Sequence, residues 1–191
     1  MNKKLSEMSN EELWQLFPII LSEHHAEWSA WYREEESLLR EAFKALPVKR
    51  INHVGSTAVE GLVAKPIVDI IVEKDPECGI EVFRDAAIPA GYRFIHYKDK
   101  RAMFNKGYSE QGYAEKVFHL HLRDSGDHDE LYFRDYLRKF PEVACEYAAL
   151  KRSLCERYRN DRDAYTESKT EFIREQTDAA KRLFGSKYDL D

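Results

Sequence analysis

The run Ile67-Val68-Asp69-Ile70-Ile71-Val72 sets one carboxylate among aliphatic residues that favour strands. A strand this apolar is buried, and burying Asp69 is costly unless it is paired, hydrogen-bonded or bound to a cation. About a dozen residues upstream, Asn52-His53-Val54-Gly55-Ser56-Thr57 reads as another strand closed by a sharp Gly-Ser turn. Gly55 opens backbone conformations that other residues avoid. The cost of Asp69 is the first pointer to function.

Periodicity fills in the rest. A helix is expected over 10–17, then a short apolar link at 19–21, then an amphipathic helix over 23–46 ended by Pro47. Its charged face (Arg33, Glu34, Glu35, Glu36, Arg40, Glu41) reads as solvated. Strands are expected at 49–54, 67–73, 92–97, 102–106 and 116–123, with a helix from Asp75-Pro76 through Ala87 and a polar loop over 108–115. Past Ser125-Gly126 the pattern is helical: 129–139, 142–159, and a third stretch from Asp161 to about Gly185. The expected class is α+β: a mixed sheet flanked by helices over residues 1–124, with a C-terminal helical bundle over 125–191 packed on it.

Net charge of −5 supplies no global basic field, and no basic-aromatic platform is visible, so nucleic acid is not an expected partner. No apolar run reaches membrane-spanning length and no signal-peptide core is present, so the expectation is a cytoplasmic protein without a membrane partner. Cys78, Cys145 and Cys155 lack metal spacing and read as free thiols. Ser56 lacks the Gly-x-Ser-x-Gly setting of a hydrolase nucleophile. His53 is expected to be structural.

On a strand, His119 and His121 project to one face while Phe118, Leu120 and Leu122 take the other. If that strand neighbours the Asp69 strand, the three side chains make a mixed nitrogen-oxygen set suited to a divalent metal or to phosphate contact. The residues around these positions carry a resemblance. Arg50 through Leu62, Ala64 through Ile70, His119-Leu120-His121-Leu122 and Phe133-Arg134-Asp135-Tyr136-Leu137-Arg138 together resemble the GrpB family (UPF0157-like) of the nucleotidyltransferase superfamily.

The resemblance implies a nucleotidyltransferase-like fold and transfer of a nucleotidyl group from a nucleoside triphosphate to an acceptor. It implies Asp69 as catalytic metal ligand, completed by His119 and His121, with magnesium or manganese as the cofactor and a transition metal admitted by the imidazoles. Gly55, Ser56, Thr57 and Lys65 would contact phosphates, joined by Arg50, Lys106 and Arg134. Family relatives fused to dephospho-CoA kinase point to a coenzyme A-related ligand as one variant of a nucleotide or other phosphorylated partner. The sequence departs from the superfamily at Ile71, which stands where a second metal-binding carboxylate is usual. Glu73, about 13 Å further along an extended strand, is too distant to replace it. Ile71 therefore keeps two alternatives open: a non-catalytic nucleotide or phosphometabolite-binding module, and a metal-dependent phosphohydrolase.

Overall fold

The computed structural model describes residues 3–189. Five strands, β1 (Val48–Val54), β2 (Val68–Lys74), β3 (Arg93–Lys98), β4 (Arg101–Ser109) and β5 (Gly112–Asp124), form one mixed sheet in the order β1-β2-β5-β4-β3. β2 and β5 pair parallel at its centre, and every other neighbouring pair is antiparallel. A parallel pair needs a crossover, here the helix α3 (Ile80–Ala87) and the β3–β4 hairpin. The preceding helices are α1 (Asn10–Leu16) and α2 (Glu27–Ala42); α4 (Asp129–Lys139), α5 (Pro141–Arg157), α6 (Arg162–Glu167) and α7 (Thr170–Phe184) follow the sheet.

Strand alternation divides the sheet into two unlike faces. Ile51, Val68, Ile70, Val72, Phe104, Phe118, Leu120 and Leu122 turn to one side, where Trp28, Leu39, Phe43 and Phe83 of the α2/α3 layer complete the main core. Phe83 is fully buried there, and Phe83→Ala would cost about 3–5 kcal/mol. The opposite face carries Asp69, Ile71 and Glu73 on β2 and His119 and His121 on β5, beneath the C-terminal helices. The site is built on this second face.

Several elements differ from expectation. The polar loop over 108–115 is ordered: β4 and β5 extend through it, pairing Tyr108 with Tyr113 and Ser109 with Gly112. Its tyrosines are held by the buried Phe17, which packs on both rings at 4.9 and 5.0 Å. The link at 19–21 leads into an isolated bridge between Ser22 and Ala64. Asp75-Pro76 starts a turn, because the Asp75 carboxylate accepts the Glu77 N–H and the helix waits for Ile80. Glu35 is buried on α2 because Lys106 reaches its carboxylate through the core at 2.8 and 3.0 Å. The third C-terminal stretch is two helices, α6 and α7. All three cysteines are free, and no helix among the described residues is long and apolar enough to cross a membrane.

Candidate functional site

The turn after β1 and the carboxylate on β2 fit each other at atomic range. Gly55 has φ +71°, and a Cβ there would lie 2.5 Å from Asp69 Oδ2. Two constraints therefore exclude other residues: a left-handed backbone and a carboxylate in the space a side chain would take. Sheet register continues the row, pairing Val54 with Asp69, Asp69 with His119, and His119 with Asn105. The expected adjacency of the Asp69 and His-x-His strands is present, with no residue between them.

Asp69 Oδ1 lies 3.0 Å from His121 Nε2 and 3.3 Å from His119 Nδ1. Burial works to raise this carboxyl, but the hydrogen bonds and charge of the two imidazoles outweigh it and hold the group well below the carboxylate range. Burial lowers His119 below its ordinary value, with Asp69 opposing only in part. Behind the pair stand outer partners. The Tyr108 hydroxyl is 2.7 Å from His119 Nε2 and accepts from Arg162 Nη2 at 3.3 Å; Arg123 Nη2 approaches His121 Nδ1 at 3.4 Å.

The donor atoms of Asp69, His119 and His121 lie within 4.8 Å of one another. Two imidazole nitrogens and a carboxylate suit manganese, zinc or iron better than an all-oxygen magnesium site. The hydroxyl behind His119 is the kind of outer partner that fixes a ligating imidazole. The donor set fits a single divalent ion.

The cluster opens into a cavity of about 670 Å³. Besides Gly55, Ser56 and Lys65, three cations line it that sequence reasoning missed: Lys151 on α5, Arg162 on α6 and Lys169 just before α7. No carboxylate of the described residues forms a salt bridge with Lys65, Lys151, Lys169 or Arg162. Lys151, only 2% exposed, donates to Ser56 Oγ at 2.9 Å and to the Val63 carbonyl. Burial, then Lys169 and Arg162, brings the Lys65 ammonium down to about 7. Burial, then Lys169, likewise brings Lys151 to about 7, and burial brings Lys169 to about 8. Grouped, desolvated ammonium groups that no carboxylate salt-bridges form a receptor for a polyanion, with Asp69 and Asp163 the acidic groups in the same cavity wall.

Three expected substrate contacts lie elsewhere. Arg50 is on the same sheet face but paired with Glu73 at 3.2 Å, at the opposite end of β2 from Asp69. Lys106 points through the other face to Glu35, since its partner in the ladder, Phe118, belongs to the main core. Arg134 donates to the His53 carbonyl at 2.8 Å, Asp135 and the Tyr188 hydroxyl, tying α4 to β1. Arg101 and Lys116 pair with Asp127 and Glu34. Thr57 lines the cavity, yet its hydroxyl is taken up by the Ile67 carbonyl and His53 Nε2. His53 is buried and stacked on Tyr32 at 4.9 Å.

Ile71 is fully buried against Val54 and Leu131 of α4, so helix packing occupies the place of a second carboxylate. Lys151 had a legible signal. It falls in the stripe Tyr147, Ala148, Lys151, Leu154, a lysine at helical spacing among buried residues.

Comparison with known proteins agrees with this architecture. The family model described as GrpB protein matches residues 18–179. Glutamate-rich protein GrpB of Alkalihalophilus pseudofirmus is 36% identical over 163 residues, covering 82% of this chain and 92% of the relative. The crystal structure of conserved protein GrpB from Enterococcus faecalis aligns with a TM-score of 0.75 at 25% identity, over 86% of this chain and 99% of that one. The Cid1 poly(U) polymerase with Mg 3'-dATP bound aligns with a TM-score of 0.52 at 10% identity, a likeness of fold, over 83% of this chain and 51% of that one. A dephospho-CoA kinase of Mycolicibacterium paratuberculosis is 26% identical over 186 residues; the chain spans 45% of its length.

Proposed function

The chain belongs to the GrpB family, and on its nucleotidyltransferase-like fold we propose a metal-dependent transferase that moves a nucleotidyl group from a nucleoside triphosphate to an acceptor. One observation carries the reading: a single cavity joins the Asp69/His119/His121 donor set to four cations without carboxylate partners. A metal and a polyphosphate are complementary to those two halves.

Lys65, Lys151 and Lys169 bind the phosphates as point charges, and Arg162 offers a planar fork. Ser56 is held by Lys151 and directs its hydroxyl hydrogen toward a phosphate oxygen. A divalent ion bound by Asp69, His119 and His121 would neutralise charge on the reacting phosphate. The acceptor hydroxyl oxygen bonds to the α-phosphorus as its proton passes to solvent, the bond to the α–β bridging oxygen breaks, and pyrophosphate leaves toward the lysines. Positioning and charge neutralisation supply most of the acceleration in such a reaction.

The buried Ile71 favours a second reading, a binding module for a nucleotide or coenzyme A-related phosphometabolite without turnover. Calorimetric titration of ATP with manganese, with magnesium and with chelator separates the two. Manganese-dependent binding that disappears in Asp69→Ala, with pyrophosphate released in an acceptor screen, supports the transferase. Binding that survives both chelator and Asp69→Ala moves the assignment to the module, and absence of binding by ATP and, in a parallel titration, by coenzyme A removes both.

A further inference from the structure

A nucleobase needs a surface unlike the one phosphates need: a flat apolar face with a polar group at its edge. The cavity holds such a surface outside the cationic group. Trp14 on α1 lines it, its indole is partly exposed, and it takes part in no aromatic pair among the described residues. The other two tryptophans are engaged. Trp28 is buried with the rings of His24 and His25 edge-on to it, and Trp31 carries the Lys116 ammonium.

The helix presenting Trp14 is fixed at both ends. Ser9 Oγ accepts the Glu12 N–H, and the Glu12 carboxylate returns to the Ser9 N–H at 2.7 Å. At the other end Phe17 is buried and packed on Tyr108, the residue whose hydroxyl meets His119. One short chain of contacts thus connects the indole's helix to the donor cluster. In the same cavity Asn105 stands beside His119 in the ladder, and its side-chain amide has no hydrogen-bond partner among the described residues. A free amide offers both a donor and an acceptor, as a base edge requires.

Building on the phosphate reading above, we propose that Trp14 is the stacking platform for the base of the bound nucleotide, with Asn105 as its hydrogen-bonding edge. Stacking reads any aromatic face, so the platform selects for a base without choosing sharply among bases. Trp14 lies outside residues 18–179, the part matched by the family model.

The test uses the full chain with ATP and tripolyphosphate as probes, read by calorimetry and tryptophan emission. ATP quenches the wild-type emission and tripolyphosphate does not. Trp14→Ala weakens ATP about tenfold while leaving tripolyphosphate unchanged, and Trp14→Phe restores most of the ATP affinity. Equal losses for both probes in Trp14→Ala, or undiminished ATP affinity, overturn the proposal. Tripolyphosphate bound as tightly as ATP by the wild type removes the base platform and spares the phosphate site. Failure of both probes to bind the wild type removes the phosphate reading and this inference together.

Discussion

Asp69 and Glu73 sit on the same strand and the same sheet face, yet they occupy opposite kinds of environment. Glu73 is 0% exposed, with Arg50 at 3.2 Å, His128 Nδ1 at 2.9 Å and the Gly126 N–H at 3.2 Å. That end is sealed by Tyr188, whose carbonyl accepts from Arg50 and whose hydroxyl accepts from Arg134. Asp69 keeps 27% of its side chain exposed, and its close partners are two imidazoles. A guanidinium is a permanent charge, whereas an imidazole can give its lone pair to an ion. The difference teaches how to tell a structural buried carboxylate from a candidate ligand: by whether a permanent cation is already paired with it, more than by its depth.

Removing each group should separate the two ends. Glu73→Gln leaves Arg50 facing a neutral amide and should lower stability by about 3–5 kcal/mol in denaturant titration, with manganese affinity unchanged. Loss of metal binding at unchanged stability would erase the distinction. Gly55→Ala should cost about 1–3 kcal/mol through its backbone and also weaken metal binding by displacing Asp69. Gly61 is the control, because it has φ +74° and no atom within 4 Å of an added Cβ. Gly61→Ala should lose comparable stability and no metal affinity; equal metal-binding losses in the two variants would refute the Gly55–Asp69 fit.

Smaller effects address the lysines. Lys151→Met should weaken tripolyphosphate binding by about tenfold, the loss of one charge-assisted contact, read by calorimetry. Polyanion affinity should also fall as pH rises through the values near 7 for Lys65 and Lys151 and near 8 for Lys169. Folding responds with the opposite sign. In the unfolded chain these groups return toward 10.5, so between about pH 7 and 10 the unfolded state binds more protons and their contribution to stability rises with pH. A tripolyphosphate affinity flat from pH 6 to 9 would show that the ammonium groups are not the receptor.

The sequence made the central geometry legible where a period of two operates on an apolar background. Asp69 among aliphatics, and His119 and His121 alternating with Phe118, Leu120 and Leu122, fixed which side chains share a face. Lys106 was misplaced because its face depends on pairing β4 with β5, a register that no local pattern records. Arg50 was misplaced for another reason: Glu73, four residues from Asp69 along β2, claims it. The hairpin tip at Tyr108 and Tyr113 reads as polar loop until Phe17, distant in sequence, supplies the surface that orders it. Lys151 shows the limit of averaging over a stripe, since one charged residue inside it was the informative one.

The parallel pairing of β2 with β5 has a consequence for how the chain finds its fold. Asp69 and His119 pair across the whole of α3 and the β3–β4 hairpin, so this contact closes a long loop and belongs to the slow, non-local part of folding. A slip of one residue along β5 would turn both imidazoles into the hydrocarbon core and bring Phe118 and Leu120 to the cavity. Any ion that needs Asp69 and both imidazoles would bind only the correctly aligned sheet. In a refolding experiment, its capture would act as a ruler that reports when the central strands have reached their register.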